Sequence, residues 1–231
     1  MNKLSVLQAE IIECRACLRL VSWREEVARV KVRRFRSWTY WGRPVPGFGD
    51  PRGQLLIVGL APAANGANRT GRMFTGDRSG DFLYAALHRA GYANQPTSEH
   101  RDDGLKLTGA FISAPVRCAP PANKPLPSEL LNCSVWFDRE VALLQNVSVV
   151  LALGAIGWNA TLTHFARRGI VLQSPRPKFG HGAEALIQPG LTLLGCYHVS
   201  QQNTNTGKLT PKMIDSVLAR IKAIAAQKIT R

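Results

Sequence analysis

Short apolar runs alternate with segments of helical periodicity along most of the chain. The apolar runs predict strands at residues 54–59, 107–113, 147–153 and 191–197. Apolar positions at helical spacing predict helices at 3–20, 79–91, 128–145, 155–168 and 210–227. Strands that alternate with helices are typical of a parallel sheet covered on both faces, so the predicted fold class is α/β. Prolines and glycines between 170 and 190 predict a surface excursion.

Polar loops follow three of the predicted strands. The first, residues 59–77, is rich in glycine and carries Phe74 and Asp77; it lacks the Gly-Lys-Ser/Thr ending of a triphosphate-binding loop. The others contain Asn123 and the polar run 198–208. Because open α/β sheets bind ligands at the carboxyl ends of their strands, these loops predict a ligand site. A turn residue is the alternative for Asn123, and a solvated turn for 198–208.

The charge of the chain changes the class of ligand that such a site would take. Of 231 residues, 45% are hydrophobic, which is enough for one substantial core and predicts a single domain over 1–231. Lys and Arg number 30 against 15 for Asp and Glu, a net charge of +15. That excess favours a polyanionic partner, most simply nucleic acid, over a merely soluble cationic surface. No apolar run approaches the length of a membrane span, and no leader follows Met1, so we expect a cytoplasmic protein.

Two further patterns could serve a nucleic-acid partner or a metal. Cys14 and Cys17 form a C-x-x-C pair, and Cys118 and Cys133 follow far downstream. Four thiolates can hold either zinc or an iron–sulfur cluster, and the spacing does not choose between them. Cys196, inside an apolar run, is expected to be a buried small residue. Arginines alternate with aromatic residues over 22–43, which could stack on bases or could be tryptophans packed under a basic surface.

Taken together, the loop motifs resemble one known family. The motifs are Gly59-Leu-Ala-Pro-Ala-Ala, Asn68-Arg-Thr-Gly-Arg-Met-Phe-Thr-Gly-Asp77, Arg117-Cys-Ala-Pro-Pro-Ala-Asn-Lys-Pro125 and His198-Val-Ser-Gln-Gln-Asn-Thr-Asn-Thr206. In this order they resemble family 5 (B type) uracil-DNA glycosylases, which belong to the iron–sulfur branch of the superfamily. The match runs from Cys14 to about Thr210.

The resemblance carries expectations about fold, cofactor and activity. It implies a three-layer α/β/α fold with a central four-stranded parallel sheet. It implies a structural [4Fe–4S] cluster held by Cys14, Cys17, Cys118 and Cys133. The implied reaction is hydrolysis of the N-glycosidic bond of uracil, and of other deaminated bases such as hypoxanthine, in single- and double-stranded DNA. The product is an abasic site in an uncut strand, the partner is DNA containing the deaminated base, and we expect a monomer without a membrane partner.

The resemblance also assigns residues to roles. The expected catalytic residues are Asp77, which would orient water or stabilise the sugar cation, His198, which would donate to O2 of the leaving base, and Asn123, which would contact its polar edge. The expected substrate-binding residues are Gly59, Ala61, Phe74, Ala114 and Asn203, with the base stacked on Phe74. The expected DNA-binding residues are Arg69, Arg72, Ser200, Gln201, Gln202 and Lys208.

Three positions depart from better-known relatives. Ala61 stands where family 1 enzymes carry the carboxylate that positions water, and Ala114 stands where related families carry an asparagine that reads uracil. Asn65 occupies a position where the family pattern predicts histidine. The loop after His198 lacks the insertion of relatives that crosslink to DNA, so no covalent trapping is expected. Two rival interpretations remain at this point: a non-catalytic nucleic-acid-binding metal-cluster protein, and a zinc protein of the same fold.

Overall fold

The computed structural model describes residues 2–229, with side chains described for 2–226. The helices are α1 (Lys3–Ile12), α2 (Leu18–Val30), α3 (Ala67–Thr70), α4 (Arg78–Arg89), α5 (Pro127–Leu143), α6 (Ala155–Arg167), α7 (Gln201–Asn205) and α8 (Pro211–Ile229). The strands are β1 (Phe48–Gly49), β2 (Leu55–Val58), β3 (Ala110–Ser113), β4 (Val149–Leu153), β5 (Glu184–Gln188) and β6 (Leu191–Cys196). Short 3-10 turns lie at Arg33–Phe35 and Pro121–Asn123.

The strands form one sheet in the order β1-β3-β2-β4-β6-β5. The four central strands, β3, β2, β4 and β6, are mutually parallel and correspond to the four predicted strands. The sheet nevertheless has six strands rather than four, because β1 and β5 pair antiparallel at its two edges. Strand β5 lies inside 170–190, so that segment is not wholly a surface excursion.

Helices cover both faces of the sheet, as the three-layer expectation requires. On one face, α4 and α8 pack Leu83, Leu87 and Leu218 against strand residues such as Ile57 and Leu151. On the other face, α5 and α6 contribute a second core that includes Phe137, Trp158 and Leu162. Each fully buried side chain of this size stabilises the fold by about 1.5–3 kcal/mol relative to exposure. No helix among the described residues is long and apolar enough to cross a bilayer.

The N-terminal segment differs from its prediction. A single helix was expected over 3–20, but α1 ends at Ile12 and α2 begins at Leu18. Cys17 is the N-cap of α2, with extended backbone angles (φ −111°, ψ 93°) that end the helical path. The break places Cys14 and Cys17 in a connection between two helices, where both side chains can face the same neighbour.

Candidate active site

A cavity of about 750 Å³ opens at the edge where the parallel strands end. We call it the edge cavity. The polar loops after β2, β3 and β6 meet there, as the positions of their strands predicted. The predicted site residues that line it are Ala61, Phe74, Asp77, Ala114, Asn123, His198, Ser200, Gln201, Gln202 and Asn203. Loops separated by more than a hundred residues in sequence therefore share one concave surface.

Asp77 lies at the N-terminus of α4 and is its N-cap residue. Its Oδ1 accepts the Gly80 N–H at 3.0 Å, and the side chain lines the edge cavity. Burial raises the pKa of Asp77 above its ordinary value, while the N–H groups of Gly80 and Ser79 oppose the shift. The carboxyl group is therefore held at the positive end of a helix but largely away from solvent.

Gly66 leaves open the space that the Asp77 carboxylate occupies. A Cβ built on Gly66 would lie 1.9 Å from Asp77 Oδ2, so no side chain could begin at position 66 without displacing the acid. Gly80 has a related role, because a Cβ there would lie 1.9 Å from the Phe74 carbonyl oxygen. Two glycines thus permit the close approach of the loop to the first turn of α4.

Phe74 forms a wall of the edge cavity and has an uncommon backbone conformation. Its φ is +52°, in the left-handed region that disfavours residues with a side chain. Gly59, predicted to bind substrate, does not line the cavity but lies behind this ring: a Cβ on Gly59 would be 2.9 Å from Phe74 Cζ. Gly59 therefore makes room for Phe74, and Phe74 presents the surface.

His198 follows β6 and faces Phe74 across the cavity, with ring centroids 6.4 Å apart and planes inclined by 39°. Burial lowers the pKa of His198, so the imidazole is neutral near pH 7 and one ring nitrogen carries a hydrogen to donate. Asn203 Nδ2 donates to the His198 carbonyl oxygen at 2.8 Å. Ser200 caps α7 by accepting the Asn203 N–H, so Asn203 and Ser200 hold the loop that carries His198.

Asn123 projects from the 3-10 turn that follows β3. Its φ is +55°, and that of Ala122 is +52°, so two consecutive residues adopt the left-handed conformation. Asparagine tolerates this region better than most residues, whereas alanine does not. The Asn123 N–H donates to the Pro120 carbonyl at 3.1 Å, and the exposed side chain lines the cavity. Its polar amide is available to a ligand.

Arg69 and Arg72, expected to bind DNA, do not reach the surface. Arg69 is 3% exposed and packs against two aromatic rings, its guanidinium 3.7 Å from the Phe35 centroid and 4.0 Å from that of Trp38. Arg72 is 4% exposed and forms an ion pair with Asp103 at 2.7 Å. The expectation of a DNA contact is therefore corrected. Other residues of the same chain bury both guanidiniums, and these bind and stabilise the 59–77 loop from the interior of the protein.

Other cations differ from the prediction as well. Lys208 is exposed but does not line the edge cavity; its Nζ lies 5.1 Å from the Tyr197 ring centroid. Arg34 is exposed and does line it, with its guanidinium 4.4 Å from the centroid of Phe35. Sequence reasoning singled out the basic segment around Arg34 but no single member of it, because several arginines interleaved with aromatic residues give no signal for which one reaches the site.

The four cysteines of the C-x-x-C pair and its downstream partners differ in burial, since Cys14 and Cys17 are half-buried whereas Cys118 and Cys133 are buried. Cys14 and Cys17 lie between α1 and α2, Cys118 in the loop that carries Asn123, and Cys133 on α5. Each sulfur accepts an N–H donor: Trp136 Nε1 at Cys14 (3.3 Å), Asn132 Nδ2 at Cys17 (3.7 Å), Arg24 Nη1 at Cys118 (2.9 Å) and the Arg117 backbone at Cys133 (3.3 Å). Sulfur accepts well when it is a thiolate, so this pattern is typical of metal-bound cysteines.

Arg24 adds a buried positive charge to these cysteines. It is 1% exposed, and its Nε is a buried donor without a hydrogen-bond partner among the described residues. Its nearest carboxylate oxygen, on Glu25, lies 3.9 Å away. A buried guanidinium is unfavourable without a compensating anion. Within residues 2–229, no three His, Cys, Asp or Glu side chains converge closely enough to hold a single metal ion. Cys196 lies elsewhere, fully buried in the core on β6, as expected.

The buried Arg117–Glu140 pair ties these elements to the sheet. Arg117 Nη2 lies 2.7 Å from Glu140 Oε2, and both side chains are almost completely buried. Arg117 also donates to Ser113 Oγ at the end of β3, while Glu140 belongs to α5, as Cys133 does. The loop with Cys118 and Asn123 is therefore fixed between β3 and α5.

Comparison with known proteins agrees with this architecture. Residues 46–222 match the family model "Uracil DNA glycosylase superfamily". The chain is 56% identical over 220 residues to the type-5 uracil-DNA glycosylase of Mycobacterium tuberculosis, covering 95% of this chain and 81% of the relative. It is 54% identical to that of Mycobacterium leprae (95% and 94% covered) and 53% identical to that of Thermus thermophilus (92% and 94% covered). The chain therefore belongs to the type-5 uracil-DNA glycosylases of the uracil DNA glycosylase superfamily.

Proposed function

We propose that this protein hydrolyses the N-glycosidic bond of uracil in DNA and leaves an abasic site. The observation that carries the proposal is the meeting of an aromatic wall, a buried acid, a neutral histidine and an asparagine amide in one cavity. These are Phe74, Asp77, His198 and Asn123. The similar proteins of Mycobacterium tuberculosis and Thermus thermophilus are named as uracil-DNA glycosylases.

The base must leave the helical stack before its glycosidic bond can be reached. Extrusion costs a few kcal/mol and is least for a mispaired or single-stranded base, so both forms of DNA are substrates. In the cavity the flipped ring stacks on Phe74, and the Asn123 amide contacts its polar edge. The net charge of +15 attracts the phosphate backbone independently of sequence.

His198 assists departure of the base. Cleavage of the bond leaves negative charge on the base, shared with the carbonyl oxygen O2. A neutral imidazole held in place by its neighbours donates a hydrogen bond to that oxygen as the charge develops. One such donor is worth about 2.7–4 kcal/mol in enzymes that stabilise oxyanions. Because burial lowers the pKa of His198, this donor is neutral at physiological pH.

Asp77 acts on the sugar side of the bond. Ionised Asp77 accepts a hydrogen bond from the attacking water and stabilises the positive charge that develops on the sugar, as carboxylates do in other glycoside hydrolysis. Ala61 brings no carboxylate to the same loop, which leaves Asp77 as the acid that lines the described cavity. No lysine is among the described residues that line it. We therefore propose hydrolysis without a Schiff base, leaving the strand uncut.

The small side chains of the cavity extend the proposal to larger bases. Ala61 and Ala114 both line it where a longer side chain would occupy space. A cavity of about 750 Å³ accommodates a purine as well as a pyrimidine. We therefore propose that hypoxanthine and other deaminated bases are released as well as uracil.

We further propose that Cys14, Cys17, Cys118 and Cys133 hold a [4Fe–4S] cluster. Their sulfurs accept four N–H donors, and Arg24 supplies the positive charge that an anionic thiolate cluster would compensate. A zinc ion needs four sulfurs about 2.3 Å from one point, a convergence not found among the described residues. When bound, the cluster ties α1, α2 and α5 to the loop of Asn123, and hydrolysis requires no redox step.

The proposal is tested with labelled oligonucleotides that each contain one uracil, hypoxanthine, xanthine or ethenocytosine, single- or double-stranded. After incubation, hot alkali cleaves the strand at abasic sites. Release of uracil is expected, with strand cleavage only after alkali. Tight binding to the same DNA without any base release would instead support the non-catalytic rival. A colourless preparation that contains zinc and no iron would overturn the cluster.

A further inference from the structure

The arginine- and aromatic-rich segment packs against the site loop rather than outward toward DNA. Backbone N–H groups of Trp41 and Gly42 donate to the carbonyls of Arg69 and Asn68, at 2.8 and 3.0 Å. The rings of Phe35 and Trp38 both pack against the Arg69 guanidinium. Residues 33–42 therefore form a second layer behind the 59–77 loop, and we call them the backing segment.

Asn65 is fixed by this layer at two points. Tyr40 Oη donates to Asn65 Oδ1 at 2.9 Å, and Arg69 Nε donates to the Asn65 carbonyl at 2.9 Å. Arg69 is in turn bound to the Gly76 carbonyl at 2.7 Å, one residue before Asp77. Both the side chain and the backbone of Asn65 are thus fixed by hydrogen bonds. Arg69, which binds the backbone, also binds the segment that carries Asp77.

The orientation of the Asn65 amide follows from the Tyr40 contact. Tyr40 is buried, and burial raises the pKa of its hydroxyl, which remains a donor throughout the physiological range. A donor at Oδ1 leaves Nδ2, with its two hydrogens, as the free end of the amide. Asn65 lines the edge cavity, and its Nδ2 has no hydrogen-bond partner within residues 2–226. A fixed donor without a partner therefore stands in the wall of the cavity.

We propose that Asn65 is a further substrate-binding residue, whose Nδ2 donates to an oxygen acceptor of the bound nucleotide, and that Tyr40 is its positioning residue. The proposal rests on the proposed function for the identity of the nucleotide. Two sources offer the same chemistry: a carbonyl of the base, or an oxygen of the adjacent phosphate. A donor that is already oriented loses little conformational entropy on binding, so it adds both affinity and discrimination.

Two substitutions separate positioning from general stability. Tyr40→Phe keeps the ring and removes only the hydroxyl that orients Asn65. Tyr84→Phe is the matched control, because Tyr84 is also buried and its hydroxyl donates to the same loop, at the Met73 carbonyl (2.9 Å), without contacting Asn65. Asn65→Ala removes the donor itself. Thermal unfolding of each variant confirms that the fold is retained.

The measurements are single-turnover rates for each base and the dissociation constants of oligonucleotides carrying a non-cleavable uracil nucleotide or a normal base. If Nδ2 contacts the base, Asn65→Ala and Tyr40→Phe change the ratio of rates between bases by about three- to tenfold, the range expected for one hydrogen bond. If it contacts a phosphate, both variants weaken binding by a similar factor whichever base is present. Tyr84→Phe is expected to do neither.

Rates and affinities of Asn65→Ala within twofold of wild type would overturn the inference, as would equal effects of Tyr40→Phe and Tyr84→Phe. Failure of the inference and failure of the proposed function give different results. If the wild type releases no base but Asn65→Ala weakens DNA binding, the proposed function fails and the inference stands. If the wild type releases uracil and Asn65→Ala behaves like it, the inference fails and the proposed function stands.

Discussion

The carboxylate of Asp77 fills the space in which a side chain of Gly66 would begin, since a Cβ on Gly66 would lie 1.9 Å from Asp77 Oδ2. The two residues lie on opposite sides of the Gly-rich loop, one before α3 and one at the start of α4. The position of the proposed catalytic acid is therefore set by the absence of a side chain eleven residues earlier.

Gly66→Ala should displace the acid and reduce uracil release. A shift of about 1 Å in a reacting group can lower the rate about 100-fold, so we expect a loss of at least tenfold in the single-turnover rate constant. Gly180→Ala is the matched control, because a Cβ there meets only Ala183 Cβ at an ordinary 3.6 Å. An unchanged rate in Gly66→Ala, with the protein folded, would show that the Asp77 position does not limit the reaction.

Asp77→Asn should separate activity from stability. Asparagine caps helices about as well as aspartate, so the Gly80 N–H keeps an acceptor and the fold is retained. The uncharged amide cannot stabilise the sugar cation, and most uracil release should be lost while DNA binding persists. The melting temperature of Asp77→Asn at pH 7 should equal or exceed that of wild type. The variant buries a neutral amide, whereas the wild type buries an ionised carboxylate, which is costly. A rate like that of wild type would remove Asp77 from the mechanism.

The stability difference between Asp77→Asn and wild type should depend on pH. Burial raises the pKa of Asp77 in the folded protein, so the folded state binds the proton more tightly than the unfolded state does. The contribution of Asp77 to the free energy of unfolding of the wild type therefore decreases as the pH rises. The decrease begins near the ordinary pKa of aspartate and is complete above the raised pKa of the folded protein. Asp77→Asn lacks this loss, so its advantage should be larger at pH 7 than at pH 4. Urea unfolding at both pH values measures it.

The same ionisations predict an acid limb in the rate of base release. As pH falls, Asp77 is protonated at a pH above the ordinary range of aspartate, and the reaction loses its anion. His198, whose pKa is lowered by burial, stays neutral until a pH below the ordinary range of histidine. We therefore expect a plateau at neutral pH and a decline toward acid. The decline should be altered in Asp77→Asn, and an identical profile in both proteins would assign the limb to another group.

Much of this architecture could be predicted from the sequence, and the exceptions have physical reasons. The parallel strands are continuous apolar runs because both faces are buried, which makes β2 and β4 easy to recognise. Strand β5 alternates exposed and buried residues, and β1 has only two residues, so neither gives a clear apolar run. The break before Cys17 was missed because apolar residues continue at helical spacing through Leu18 and Leu20.

The site was less predictable than the fold. Motif positions placed Phe74, Asp77 and His198 correctly at one edge, since that follows from strand order. Whether an arginine is exposed depends instead on residues that are distant in sequence. Arg69 is covered by Phe35 and Trp38, which lie more than thirty residues earlier in the chain. No local pattern around Arg69 records those neighbours, so a buried arginine was mistaken for a DNA contact.

Arg24 should be required for the proposed iron–sulfur cluster. Its guanidinium donates to Cys118 Sγ at 2.9 Å, and its nearest carboxylate oxygen, on Glu25, lies 3.9 Å away. Arg24→Gln removes the positive charge, so we expect less iron and sulfide per protein, weaker visible absorbance and faster cluster loss in air. Arg29→Gln is the control on the same helix, because Arg29 is exposed and its ion-pair partner within the described part of the chain is Glu26, also at the surface. Full iron content and unchanged cluster lifetime in Arg24→Gln would contradict this role.

Arg34 and Arg69 should differ in how their loss affects DNA binding. Arg34 is exposed at the edge cavity, so we propose that it contacts a phosphate. Arg34→Gln should weaken binding to all sequences and reduce the slope of log affinity against log salt by about 1. Arg69→Gln should leave that slope unchanged and instead lower the melting temperature, because it removes a cation packed on two rings and its hydrogen bond to the loop. Binding isotherms between 50 and 200 mM salt, about the range over which counterion release is resolved, distinguish the two. A reduced slope in folded Arg69→Gln and an unchanged slope in Arg34→Gln would reverse the assignment.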